Sequence, residues 1–200
     1  MSRQFSVVDV ASLPKHVDAP QLEAKYIAQW ERDGIYRYDP TRGRAETFVV
    51  DTPPPTASGS LHMGHIFSYT HTDIIVRYQR MCGKNIFYPM GWDDNGLPTE
   101  RRVQNYYHIK CDPRVAYKGG LNLGPVDAKK TKEPARELSR LDFIEQCERL
   151  TKEDEVQFQN LFKSIALSVD WRLEYATIDK HCRSLAQFSF LDLHAKGFAY

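Results

Sequence analysis

The feature that most constrains the fold is a stiff turn of three consecutive prolines, residues 53–55, between an apolar run and a helical pattern. The apolar run, residues 48–50, predicts a β-strand. After the turn, residues recur at the spacing of one helix face: Ile66, Tyr69, Thr70, Asp73, Ile74, Arg77 and Tyr78. Gly83 ends this pattern, and a second apolar run follows at 86–88. Strand, loop, helix and strand in this order predict a βαβ unit with parallel strands and a right-handed crossover.

The loop between the first strand and the helix carries the residues best suited to a ligand, because doubly wound sheets bind ligands at the carboxyl ends of their strands. Prolines lack an amide donor and form a rigid wall, whereas Gly59 and Gly64 leave room for a bulky group against the backbone. His62 and His65 would share a face of the first helical turn, where two imidazoles and the helix dipole suit a polyphosphate. Taken alone, an H-x-x-H pair is more often structural or a stray metal site. Its place after a strand, a proline turn and a glycine favours the nucleotide interpretation.

Two longer motifs resemble the signatures of one enzyme family. Residues 53–65 contain His62-Met63-Gly64-His65, and residues 88–100 contain the loop Gly91-Trp92-Asp93 followed by Gly96-Leu97-Pro98. In this order the motifs resemble the class I aminoacyl-tRNA synthetases that handle branched aliphatic amino acids, and the proline turn looks most like that of the valine-specific members. The resemblance covers roughly residues 17–200. It implies an α/β fold with the first half of a Rossmann-like doubly wound parallel sheet, flanked by helical N-terminal and C-terminal segments.

The resemblance also implies a reaction: ATP activates valine to valyl-adenylate, and the valyl group passes to tRNA(Val). The carboxylate attacks the α-phosphorus in line, so the protein mainly places the reactants and stabilises charge. Mg²⁺ should accompany ATP, held largely by phosphates and water, and no structural metal is expected. His62 and His65 would be the catalytic groups on the phosphates, and Gly64 would let the adenine approach. The implied ATP site consists of Thr56, Ser60, His62, Gly64 and His65.

The implied amino-acid site consists of Pro53, Pro54, Thr56 and Asp93. Asp93, at the end of the second strand, would pair with the substrate ammonium opposite the proline wall. Alternatively, Asp93 or Asp94 caps a turn, a role that either carboxylate can fill. The family pattern differs at two points: Thr56 stands where many valine-specific members have Asn, and Asp94-Asn95 stands where others have a histidine.

The resemblance predicts two regions: an N-terminal arm and helix, residues 1–46, packing on the catalytic domain, and the first half of that domain, residues 47–200, with a helical insertion. The sequence contains no Lys-x-Ser-Lys loop. We therefore expect an N-terminal fragment of a longer enzyme, cut before the editing domain and inactive alone, whose full-length form is a monomer. The alternatives are an isoleucine or other aliphatic class I synthetase, a coenzyme-precursor adenylyltransferase, and a non-catalytic binding module derived from a synthetase.

Composition limits how the chain could contact nucleic acid, bind metal or enter a membrane. The net charge of +1 gives no global field for nucleic acid, so any RNA contact must be local. The basic cluster Lys129, Lys130 and Lys132 predicts either a solvated loop or a contact with the tRNA acceptor end. The four cysteines lack zinc-knuckle spacing, which predicts reduced thiols. No apolar stretch approaches the length of a membrane span, and the expected location is the cytoplasm.

The flanking segments read mainly as helices. Asp18, Pro20 and Gly34 predict a helix between them, with Leu22, Tyr26, Ile27 and Trp30 as a buried stripe. Cys111 to Pro134 reads as irregular. Ser139-x-x-Asp142 and Thr151-x-x-Asp154 resemble the starts of two helices. A final helix is predicted from about 179 to 197, with an apolar face broad enough that other elements should cover it.

Overall fold

A computed structural model describes residues 16–57, 61–94, 96–127, 131 and 133–200. The chain divides into two compact units, Met1–Ile35 and Tyr36–Tyr200. The predicted boundary at residues 46 and 47 stays a prediction.

In the first unit, helix α1 spans Ala19–Asp33, as predicted. The Asp18 side chain caps it by accepting a hydrogen bond from Gln21 N at 3.2 Å, and Gly34 ends it in the left-handed conformation. The prediction that its apolar stripe is buried was wrong. Tyr26 and Trp30 stack on each other, but no residue of α1 is buried, because this helix is most of the described part of its unit.

The second unit alternates short strands with helices. In chain order these are β1 (Thr47–Val49), α2 (Met63–Met81), β2 (Asn85–Phe87), β3 (Gly91–Trp92), α3 (Leu97–Tyr107), β4 (Ile109–Cys111), β5 (Arg136–Leu138), α4 (Arg140–Ser164), β6 (Tyr175–Ala176) and α5 (Lys180–Ala195). None of the described helices is both long and apolar enough to cross a membrane.

The predicted order of strand, helix and parallel strand is confirmed: β1 and β2 are parallel, with Phe48 opposite Ile86, and α2 connects them. The right-handed crossover stays a prediction. β3 continues the line of β2 and pairs in parallel with β6. The extended segment 85–93 therefore lies between two others. It bonds through its backbone to 47–57 on one side and to 170–177 on the other. This arrangement, with its connecting helices, is part of a Rossmann-like parallel α/β sheet.

The main core lies between this sheet and the helices α2 and α4. Trp92 stacks on Phe162 with ring centroids 6.2 Å apart, and Phe158 meets Trp92 edge-on. The predicted face of α2 is correct only in part: Asp73 is buried, but Ile74 is exposed. The Asp73 carboxylate accepts hydrogen bonds from the Ser168 backbone and hydroxyl, and these donors offset the cost of burying its charge.

A second core cluster joins α3, α4 and the parallel pair β4–β5. The irregular segment before β5 is held against α4: the Asp142 carboxylate accepts the amides of Lys118 and Gly119, and Arg149 donates to the Leu123 carbonyl at 2.6 Å. Ser139 caps α4 as predicted.

The predicted second start at Thr151 was wrong, because α4 continues unbroken to Ser164. Asp154 instead receives a bidentate bond from Arg102 at 2.5 and 2.6 Å.

Helix α5 forms where the sequence predicts it, but the expected cover is absent from the described residues. No residue of α5 is buried. The exposed apolar side chains are Leu185, Phe188, Phe190, Leu191 and Leu193.

Candidate active site

The two histidines of the first motif lie together at the N-terminus of α2. His62 is the capping residue, and its Nδ1 accepts a hydrogen bond from Gly64 N at 3.1 Å. His65 completes the cap from the first turn, because its Nδ1 accepts from His62 N at 3.3 Å. The two ring centroids are 4.1 Å apart. Imidazoles replace the usual hydroxyl and carboxylate of a reciprocal helix cap.

This cap determines which ring atoms can meet a ligand. An Nδ1 that accepts an amide hydrogen carries no proton itself, so each neutral ring bears its proton on Nε2. Partial burial, and then the neighbouring His62, lower the pKa of His65, which favours the neutral form. The site therefore presents two Nε2–H donors next to the positive end of a helix dipole, a suitable environment for phosphate oxygens.

Gly64 has a specific steric role in this cap. A Cβ at this position would lie 2.9 Å from Cε1 of His62 and 3.0 Å from its Nδ1. The missing side chain thus lets the His62 ring fold back over the helix end. The sequence suggested room for adenine here; the structure adds an intramolecular reason for the glycine.

Asp93 lies where the central extended segment meets the loop after the prolines. Its N donates to Pro55 O at 2.9 Å, and its O accepts from Ala57 N at 3.0 Å. Its carboxylate meets two hydroxyls from the flanking strands, since Oδ2 is 3.4 Å from Thr56 Oγ1 and Oδ1 is 3.4 Å from Thr177 Oγ1. The side chain is half-buried, so a small cation could reach it.

The next residue, Asp94, lies in a different environment. It is 2% exposed, and among the described residues no donor reaches either of its carboxyl oxygens. Burial, and then the adjacent Glu155 carboxylate of α4, raise the pKa of Asp94 to about 7. Lys152 bonds both oxygens of Glu155 at 3.0 Å. Because neighbouring side chains of an extended segment point to opposite faces, Asp94 faces α4 and Asp93 faces away from it.

The proline turn before α2 is in contact with that helix. The Tyr69 hydroxyl donates to Pro53 O at 2.6 Å, and burial raises the pKa of Tyr69 to about 12, which keeps this donor protonated. Pro53 is exposed and Pro54 half-buried. A cavity of about 240 Å³ lies along this wall, lined by Thr52, Pro53, Ser68, Tyr69 and Thr72.

The structure thus brings His62 and His65 together at the start of α2. Separately, it brings Thr56, from the loop before α2, against Asp93, which follows β3. Ser60, the remaining predicted ATP contact, lies outside the described residues, as do Lys129, Lys130 and Lys132. Sequence reasoning missed Thr177 and Glu155. Neither residue belongs to the two motifs, and no local pattern in the sequence links either one to Asp93 or Asp94.

Comparisons with known proteins identify the family to which this sequence and fold are similar. The family model described as tRNA synthetases class I (I, L, M and V) matches residues 25–120. The chain is 52% identical over 199 residues to a valine–tRNA ligase of Thermobifida fusca. The match covers all of this chain and 22% of the relative. The chain is 51% identical over 195 residues to that of Leifsonia xyli, covering 94% of this chain and 23% of the relative.

Among solved structures, the chain is similar to the agnB2 LeuRS of Agrobacterium radiobacter K84 in a ternary complex, LeuRS-tRNA-LeuAMS. The TM-score is 0.65 at 25% identity, over 91% of this chain and 18% of that one. The chain therefore spans about a fifth of the length of the curated relatives that it matches. Motifs, fold and relatives agree, and the chain belongs to the class I tRNA synthetases.

Proposed function

We propose that this chain provides the ATP- and valine-binding part of a valine–tRNA ligase, which activates valine with ATP and transfers it to tRNA(Val). The observation that carries the proposal is the match of nearly the whole chain to valine–tRNA ligases at about half of its positions. The paired histidines at the N-terminus of α2 support the proposal, because they present two donors suited to the phosphates of ATP.

His62 and His65 act on the ATP phosphates through Nε2. Their Nδ1 atoms accept the helix amides, so the rings are oriented before ATP arrives. As the α-phosphorus is attacked, negative charge on its oxygens grows, and fixed donors near a helix N-terminus stabilise that charge without reorganising. Gly64 keeps the His62 ring in place, and Thr56 and Ser60 complete the nucleotide contacts.

Asp93 receives the ammonium group of valine. The Thr56 hydroxyl contacts one of its carboxylate oxygens, and Pro53 and Pro54 offer apolar surface beside it. This pairing fixes the amino end of the substrate, so that the carboxylate end can point to the α-phosphorus. An apolar wall distinguishes valine from isoleucine by only about 1–3 kcal/mol, so discrimination at this site is modest.

Mg²⁺ enters with ATP as its charge partner, held by phosphate oxygens and water. Within the described ranges, no group of three or more histidine, cysteine or carboxylate side chains could hold an ion alone. A monomeric full-length enzyme and a cytoplasmic location stay predictions from the sequence.

The test is exchange of labelled pyrophosphate into ATP by the complete polypeptide that carries this sequence, with valine, isoleucine or threonine, followed by charging of tRNA(Val). We expect valine to support the fastest exchange and the charging of tRNA(Val). Faster exchange with isoleucine would overturn the substrate assignment, and no exchange with any amino acid would overturn the ligase assignment.

A further inference from the structure

Thr177 contacts the Asp93 carboxylate from the β6 side, opposite Thr56. It follows β6, and its N donates to Trp92 O at 2.9 Å, so its backbone is fixed to the central segment. Its Oγ1 accepts a hydrogen bond from Asp94 N at 3.2 Å and lies 3.4 Å from Oδ1 of Asp93.

The hydroxyl of Thr177 has one hydrogen, and the geometry determines where it goes. Oγ1 already accepts the amide hydrogen of Asp94, and an amide nitrogen cannot accept. The hydroxyl hydrogen is therefore available to Oδ1 of Asp93. Thr56, from the opposite flanking segment, contacts Oδ2 of the same carboxylate. Both distances are long for such bonds, as is common in sites that tighten when substrate binds.

We propose that Thr177 is a positioning residue of the amino-acid site: together with Thr56 it orients the Asp93 carboxylate toward the substrate ammonium. This inference rests on the proposed function and adds a residue that the sequence motifs do not contain. Two hydroxyls from two flanking strands hold the carboxylate plane from both sides. The ammonium then meets an oriented charge, and less side-chain entropy is lost on binding.

The role predicts a selective defect. Thr177→Val keeps the shape of the side chain and removes the hydroxyl, so Asp93 loses one orienting donor and Asp94 N loses its acceptor. We expect the KM for valine in pyrophosphate exchange to rise about tenfold, in line with the loss of a hydrogen bond to a charged group. The KM for ATP should change less than twofold, and Thr177→Ser should restore the KM for valine.

Isovalerate, which is valine without its amino group, separates positioning from general packing. Because it cannot pair with Asp93, its inhibition constant should be the same in the wild type and in Thr177→Val. The matched control is Thr47→Val, which removes the hydroxyl of a threonine at the opposite end of the sheet, where it donates to Gly43 O at 3.0 Å. That variant should leave the KM for valine unchanged.

All variants are measured in the complete polypeptide, after a check that each melts above the assay temperature. If Thr177→Val does not fold, Thr177→Cys replaces it, because a thiol has similar size and is a weak donor. An unchanged KM for valine, an equal loss of valine and isovalerate binding, or no rescue by serine would overturn the inference. Absence of valine-dependent exchange in the wild type would overturn the proposed function, and this inference with it.

Discussion

Replacing Asp94 by Asn should make the protein more stable at alkaline pH. Asp94 is almost fully buried beside Glu155, and burial raises its pKa from 3.8 to about 7. A carboxyl whose pKa is higher in the folded state contributes its full stability below the unfolded pKa, and the contribution is lost as pH rises through about 7. At about 1.36 kcal/mol for each pH unit, the loss between pH 4 and pH 8 approaches about 4 kcal/mol.

The Asp94→Asn variant keeps a neutral side chain of the same shape at every pH, and its amide can donate to Glu155. Its free energy of unfolding should therefore lack this decline and exceed that of the wild type by about 2–4 kcal/mol at pH 8. At pH 4 the two proteins should agree within about 1 kcal/mol, since both side chains are then neutral. The decline in the wild-type free energy of unfolding reflects the pair Asp94–Glu155 as a whole, because the two carboxyls titrate together.

The assay is urea unfolding of the chain, followed by tryptophan fluorescence, from pH 4 to pH 8. Glu153→Gln is the matched control: it removes an exposed carboxylate from the same helix as Glu155 and should follow the wild-type pH dependence. Parallel curves for the wild type and Asp94→Asn would refute the reasoning, because they would show that this carboxyl does not hold its proton in the fold.

Three further predictions concern the helix cap and the second core cluster. Gly64→Ala places a Cβ 2.9 Å from the His62 ring, so the ring should move and the Kd for ATP, measured by calorimetry, should rise about tenfold. The free energy of unfolding should change little, because alanine favours the helix. An unchanged Kd would contradict the role of the cap. The pKa of His65 is lowered, so its contribution to stability is present above pH 6.5 and is lost as pH falls below it. Protection factors of the amides at the start of α2, corrected for the intrinsic exchange rate at each pH, should therefore fall over that range in the wild type but not in His65→Gln; an equal fall in both would argue against this cap. Arg102→Met removes the bidentate partner of the buried Asp154 and should lower the free energy of unfolding by about 3 kcal/mol. Lys110→Met, at the pair with Glu137 that is exposed on both sides, should cost less than about 1 kcal/mol; equal losses in urea unfolding would contradict the difference in burial.

The sequence predicts the βαβ unit correctly because each of its signals is local. The prolines, the helical spacing after them and the stop at Gly83 each act within a few residues. The parallel pair β4–β5 was not predicted, since each strand has three residues and Ile109 pairs with Arg136 across a long irregular segment. Such pairing depends on tertiary packing, which no local pattern encodes.

The site shows the same limit in finer detail. Asp93 and Asp94 are adjacent carboxylates that the sequence cannot rank, yet Asp93 is half-buried between two threonine hydroxyls and Asp94 is buried against α4. Their difference comes from strand alternation combined with the position of Glu155, 61 residues further along the chain by their numbering. The Thr151-x-x-Asp154 pattern misled for a related reason, because a capping signature inside a continuous helix looks the same as one at its start.

The most direct test of the central claim is a long-range proton–nitrogen NMR spectrum of the chain labelled with ¹⁵N-histidine, recorded while Mg²⁺–ATP is added. Bound through Nε2 and capped through Nδ1, His62 and His65 should keep the Nδ1 shifts of an unprotonated acceptor while their Nε2 resonances move with ATP concentration. His181 and His194, exposed on α5, should not move. Protonated Nδ1 atoms in both rings, or ATP-dependent shifts confined to other histidines, would contradict the account.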